Sequence, residues 1–241
     1  MDNQNAFLTT IRRSLALPSH EERQRNQFPG LFAQTDTTHI LRTIRERTAD
    51  LQDQLVETLQ TNASALAIET HLVKTFAEAA EVIVNLVRTK IPEFTPTKHI
   101  VHHDHPDLTA LHLWKHLDRE GITVHTTFNQ DQQVAEKTIA SFIGITAPAI
   151  GVADSATLVQ LTESGCPRST SLVPSIHIAF LRRENIVADM REAYAILRDK
   201  TRLNSFVFIT GPSKTADIEA QMVHGAHGPR EVHLLIYSPS S

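Results

Sequence analysis

Ile209-Thr-Gly-Pro-Ser-Lys-Thr-Ala-Asp-Ile-Glu-Ala-Gln-Met-Val-His-Gly-Ala-His-Gly-Pro229 decides how the chain is read. Just before it, Ser205-Phe-Val-Phe-Ile-Thr210 is apolar, aromatic and β-branched, and reads as a buried parallel strand. Gly211-Pro212 stop that strand. Ser213 suits an N-cap, Ala216 to Val223 then read as helix, and Gly225 falls where a C-cap glycine would end it. A strand, a short Gly turn and a helix can make an anion site, because the free N–H groups of the first helical turn face the ligand. Lys214 and Thr215 add a cation and a hydroxyl. Asp217 and Glu219 either favour the helix dipole or oppose a bound anion. The plainer reading is a turn whose Gly, Pro and Ser only change direction and cap the helix. The string is neither a Walker loop nor a GxGxxG fingerprint.

The flanks continue the alternation of strands and helices. Asn3 to Leu17 read as an apolar-faced helix ended by Pro18. Polar, Pro/Gly-punctuated residues follow to Gln34, so residues 1–34 read as a helix and linker arm ahead of an α/β domain at 35–241. Such a tethered helix can pack on its own domain or on another subunit, which leaves a homo-oligomer open. Thr37 to Gln60 read as one long amphipathic helix, and Ala63 to Glu69 as the first strand. Thr75 with Glu78 makes a capping box that opens a helix to about Arg88. Lys98–His102 and Ile122–His125 read as strands, and Leu108–Arg119 and Asp131–Ser141 as helices. Ala149–Ala153 and Thr157–Thr162 are β-like. Ser169–Val173 read as a possible antiparallel return after a turn at Glu163–Pro167. Ile176–Leu181 and Val232–Tyr237 read as strands, and Ile186–Arg198 as an amphipathic helix. The alternation predicts an open, mostly parallel sheet with helices on both faces.

Composition narrows the function. The 241 residues are 41% hydrophobic, enough for one sizeable core. A net charge of −4 and an aromatic content of 5% argue against a nucleic-acid binder. The single cysteine, Cys166, excludes internal disulfides and a four-thiolate iron–sulfur cluster held by this chain alone. With no run of 18 apolar residues and no signal-peptide pattern at the N-terminus, the expected location is cytoplasmic, with no membrane span.

Three groups of residues could carry chemistry. His102-His103-Asp104-His105 resembles a metal cluster, but the expectation is a solvated polar turn at a strand end, and no metal site is assigned. Asp154, Ser155 and Thr157 gather a carboxylate and two hydroxyls at a strand break, where Asp and Ser also serve turns. His227 and Gly228 lie on a loop that can present an imidazole to a cleft. Cys166, expected to be exposed, has no His–Asp partner and is not read as a nucleophile. No catalytic residue is assigned.

Several strings together resemble the LUD domain family, of the lactate-utilisation protein C type. They are Thr210-Gly-Pro-Ser-Lys-Thr-Ala-Asp-Ile-Glu219 and Gly225-Ala-His-Gly-Pro229, with Gly144-Ile-Thr146, Ile150 to Val159 and Ser171 to His177 upstream. The likeness runs from about Thr37 to Tyr237. Ser155-Ala156-Thr157 departs from the family's usual Thr-Gly-Thr, and Ala adopts positive φ less freely than Gly. The resemblance implies the NagB/RpiA/CoA-transferase-like fold shared by sugar-phosphate isomerases, CoA transferases and formyltetrahydrofolate cyclo-ligases. It also implies a non-redox subunit of a system that oxidises L-lactate to pyruvate. Its partners would be cysteine-rich and iron–sulfur proteins that carry the clusters, with no cofactor assigned to this chain. The strand–turn–helix reading, together with the motif positions, places a small anion or nucleotide-like ligand at Gly211, Pro212, Ser213, Lys214 and Thr215. Asp217, Glu219, Asp154, Ser155, Thr157, His227 and Gly228 would lie nearby. Two other readings stay open: a stand-alone CoA-, folate- or sugar-phosphate-dependent enzyme, and a ligand-sensing or structural partner protein.

Overall fold

The structure is a computed structural model and describes residues 2–16, 36–94, 96–129, 131–199, 205–216, 222–224 and 227–239. The chain divides into two compact units, Met1–Thr37 and Thr38–Ser241. In the first, a helix spans Asp2–Ser14. In the second, the strands are β1 (Ile68–Val73), β2 (His99–His103), β3 (Thr123–Thr127), β4 (Ile143–Thr146), β5 (Ile150–Val152) and β6 (Thr157–Thr162). They continue with β7 (Ile176–Arg182), β8 (Ile186–Val187), β9 (Ser205–Ile209), β10 (Lys214–Ala216), β11 (Met222–His224) and β12 (Glu231–Tyr237).

The main sheet has the order β1-β12-β7-β4-β2-β3, and every pairing in it is parallel. Alternation along its strands builds two cores. Ile176, Ile178 and Phe180 of β7 point with Ile143, Ile145 and Leu235 toward the helix Phe76–Thr89 and the short helix Leu113–Leu117. Ala179 and Leu181 point the other way with Val232, Leu234 and Ile236, onto the helix Ala49–Ala65 and residues of a second sheet. Gly144 faces this second side, where an added Cβ would lie 1.8 Å from the Thr170 carbonyl oxygen. Only glycine lets the short helix Ser169–Leu172 sit that close.

The second sheet has the order β8-β5-β6-β9. β6 runs antiparallel to both β5 and β9, and β5 runs parallel to β8. Ser205–Ile209 is therefore a strand as expected, but an antiparallel one outside the main sheet.

Other elements are shorter than the periodicity suggests. The long first helix of the domain is two, Thr38–Arg45 and Ala49–Ala65, because the Thr48 side chain caps the second by accepting from the Leu51 N–H at 3.3 Å. Ala63 therefore lies in helix, and β1 begins only at Ile68. The 108–119 helix is broken into Pro106–Thr109, Leu113–Leu117 and a 3-10 turn, with His112 left-handed between them. Ser169–Leu172 is helical rather than a returning strand, and Ile186–Val187 pair with β5 before a helix at Met190–Asp199. The Thr75 cap accepts from the Glu78 N–H at 3.1 Å, as the capping box predicts.

The largest correction falls on the stretch that opened the reading. Lys214–Ala216 and Met222–His224 form an antiparallel pair, with Thr215 opposite Val223. No helix begins at Ser213, so the first-turn amides expected to face an anion are absent there. At Ala216 and at Met222–Val223 strand pairing prevails over local helix propensity, as tertiary context often overrides it. Asp217, Glu219 and Gly225 lie outside the described residues.

Candidate functional site

The predicted residues meet in part. Thr157 Oγ1 lies 2.9 Å from Thr210 Oγ1, so one of the strand-break hydroxyls touches the start of the 210–213 segment. Gly211, at φ 99°, passes along β1, and a Cβ there would lie 3.1 Å from the Leu66 carbonyl oxygen. The Ser213 N–H donates to the Pro229 carbonyl at 2.8 Å, and the Ser213 Cβ would lie 3.3 Å from a Cβ built on Gly228. Pro212 is buried and Lys214 exposed. Asp154 is exposed, and the Asn62 side chain holds the turn by donating to the Ala153 and Asp154 carbonyls. Ser155 Oγ is buried without a partner among the described residues.

This assembly sits beside the amino ends of β1 and β12. A groove of about 260 Å³ there is lined by His227, Gly228, Arg230, Ser175, Glu93 and Phe94, among others. Arg230 pairs with Glu93 at 3.1 Å. Of the predicted residues that are described, His227 and Gly228 line that groove.

Parallel strands direct ligands to the opposite edge, beyond their carboxyl ends. A cavity of about 150 Å³ lies at that edge. The chain leaves β2 through His105 and Asp107, leaves β4 through Ala147–Ala149, and ends β7 at Arg182, and all of these line it. Gln160 and Leu161 of β6 with Glu163 and Cys166 of its following turn close the other side.

Arg182 shares the wall of this cavity with the carboxylates Asp107 and Glu163. Its Nε and Nη2 donate to the two oxygens of Asp107 at 2.7 and 2.5 Å, and its Nη1 to Glu184 at 3.3 Å. The guanidinium also lies over the rings of Phe76 and Tyr237. Its hydrogen bonds hold the Asp107 carboxyl below the usual range and raise the Arg182 pKa, so both stay charged. His105 caps the helix Pro106–Thr109, its Nδ1 accepting from the Asp107 N–H at 3.3 Å. Gln160 is 2% exposed; its Nε2 donates to the Leu161 carbonyl, and its Oε1 has no partner among the described residues. A buried acceptor without a donor costs about 1–3 kcal/mol, which a ligand donor would remove.

Cys166 is buried rather than exposed, because Gly165 at φ 75° folds the turn back onto β2 and β3. Burial pushes its thiol up to about 11, with Glu163 and Asp104 adding to the shift, so it is a neutral packing group. The histidine cluster is likewise mostly interior. His102 and His103 are buried and face opposite sides of β2. His102 reaches Thr126 Oγ1 at 3.0 Å and His103 reaches the Pro167 carbonyl at 3.1 Å, so they do not converge.

The sequence reading passed over Arg182, Asp107 and Gln160. Two signals were present. Arg182 closes a run of buried apolar residues at the carboxyl end of a parallel strand, and Gln160 interrupts an apolar strand with an amide.

An open parallel sheet with a cavity beyond its carboxyl edge and a mixed four-stranded sheet on one side defines the chain as an α/β protein. Residues 56–237 match the LUD domain family, and the chain belongs to it, in the lactate-utilisation protein C type. It is 33% identical over 184 residues to a lactate utilization protein C from Halalkalibacterium halodurans, covering 73% of this chain and 76% of that protein. A lactate utilization protein C from Geobacillus sp. strain WCH70 is 31% identical over 195 residues, covering 77% and 78%. A crystal structure of a DUF162 family protein from Deinococcus radiodurans shares the fold at a TM-score of 0.54 and 14% identity, covering 78% of this chain and 98% of that one.

Proposed function

We propose that this chain is a non-redox component of an L-lactate utilisation system, and that its carboxyl-edge cavity holds a small hydroxy acid. The observation that carries the ligand reading is the pairing of Gln160 with Arg182 around one cavity. A hydroxy acid offers an O–H donor to the unpartnered Gln160 Oε1. It also offers a carboxylate to the guanidinium N–H groups not engaged by Asp107 and Glu184. The names of its relatives supply the pathway, and the single buried cysteine supports placing electron transfer elsewhere. Cysteine-rich and iron–sulfur subunits in the cytoplasm are the partners this reading requires.

A second reading keeps the anion at the amino-edge assembly. It is favoured by Arg230 and His227 on one groove, beside the Ser213–Pro229 contact that leads to Lys214. Calorimetric titration with L-lactate separates the two. Under the first reading, Gln160→Leu weakens binding about tenfold, the equivalent of about 1.4 kcal/mol, and Lys214→Ala leaves it unchanged. The reverse pattern moves the ligand to the amino edge. No saturable binding by the wild-type chain removes both.

A further inference from the structure

A third cluster lies toward the amino ends of β1 and β12. These strands pair in parallel with Glu69 opposite His233. His71 follows Glu69 by two residues, so all three side chains leave the same face. His71 Nε2 lies 3.4 Å from His233 Nδ1, and Glu69 Oε2 lies 3.3 Å from that same nitrogen. All three polar atoms fall within 4.8 Å of one another.

These spacings are those of metal ligands. A tetrahedral zinc with bonds of about 2.0–2.2 Å has ligand–ligand edges of about 3.3–3.6 Å. Two of the three edges fit as they stand. The Glu69 side chain is 65% exposed and free to rotate to close the third.

Hydrogen bonding alone serves the cluster poorly. His233 Nδ1 faces both His71 Nε2 and the Glu69 carboxylate. Protonated, it serves Glu69 and cannot accept from His71; unprotonated, it does the reverse. A cation between the three groups satisfies all of them.

The surroundings resemble an outer shell. His233 is fully buried, and its Nε2 makes no hydrogen bond among the described residues but lies 3.5 Å from Glu231 Oε2. Glu231 is itself paired with Lys90. Ligating histidines usually turn their second nitrogen to a carboxylate, which fixes the tautomer. Burial lowers the pKa of both His71 and His233, favouring the neutral imidazoles that ligation needs. Lys90 opposes a cation, but its charge is compensated by Glu231.

We propose that Glu69, His71 and His233 form a site for a transition-metal dication, with two imidazoles, one carboxylate and the remaining positions open to solvent. Zinc and ferrous iron share this donor set. The site is independent of the hydroxy-acid reading.

The test uses the full-length chain stripped of metal. It is titrated with Zn²⁺ by calorimetry and with Co²⁺ by visible absorption, whose intensity separates four- from six-coordinate geometry. One equivalent is expected to bind. His71→Ala should weaken it at least about 100-fold, and Glu69→Gln and Glu231→Gln each about 10- to 100-fold. His125→Ala, in the separate stacked pair with His99, should leave it unchanged. Glu69 is exposed, so Glu69→Gln is read out in a folded protein even if His71→Ala misfolds. Absence of stoichiometric binding, or binding unchanged in Glu69→Gln, overturns the proposal and leaves a hydrogen-bonded histidine pair.

Discussion

His177 stands in the middle of the main sheet with no exposed surface. Its Nε2 meets Thr146 Oγ1 at 2.8 Å on the neighbouring strand, and its Nδ1 has no partner. Burial drives its pKa down to about 3, and that of His103 down to about 4. Both therefore stay neutral in the native protein at mildly acid pH. In the unfolded chain the same imidazoles take up protons near pH 6.5. Below that pH the unfolded state binds more protons, so stability falls as pH falls. The contribution of each histidine is about 1.4 kcal/mol per pH unit between 6.5 and its native value. Urea unfolding followed from pH 7 to 5 should show this slope, and His177→Asn should remove one histidine's share of it. A flat stability profile over that range would contradict the interior placement of these rings.

The turn between β5 and β6 shows what could and could not be read in advance. Ala149–Ala153 and Thr157–Thr162 were legible because short apolar runs flank a polar break, and both appear as strands. The residue between Ser155 and Thr157 was legible as a constraint. Ala156 does adopt positive φ, at 46°, while its methyl is buried in the core. Left-handed backbone costs a non-glycine residue about 1–2 kcal/mol. Replacing it by glycine relieves that strain but forfeits a buried methyl worth about 0.8 kcal/mol and adds about 0.5–1 kcal/mol of chain entropy. Ala156→Gly should thus lie within about 1 kcal/mol of wild type. Ala156→Val, β-branched at positive φ, should cost at least about 2 kcal/mol by the same denaturation measurement. Near-equality of the two variants would show that the turn relaxes. The pairing of Lys214–Ala216 with Met222–His224 was not legible, because the sequence from Ala216 to Val223 has good local helix propensity. The same holds for Ser205–Ile209, whose apolar run says strand but not which sheet or direction.

At the scale of the molecule, alternation of strands and helices predicted the parallel sheet, and six parallel strands are present. It could not predict the second sheet, because antiparallel neighbours separated by up to about 50 residues leave no periodic trace. That omission set the predicted ligand segment at the other edge of the sheet from the one it occupies. Reading Thr210 as the end of a central parallel strand placed Gly211–Thr215 at a carboxyl edge, whereas they run past the amino ends of β1 and β12. Arg182 and Gln160 come together only because β6 folds over the end of β7, which no local pattern encodes. No helix among the described residues is long and apolar enough to cross a membrane.

The central claim is that this fold serves lactate utilisation. The most direct test is growth of the native host, with this chain's coding sequence deleted, on L-lactate as sole carbon source. The prediction is loss of growth on L-lactate, retained growth on pyruvate, and rescue by the wild-type chain. Undiminished growth on L-lactate after deletion would contradict it.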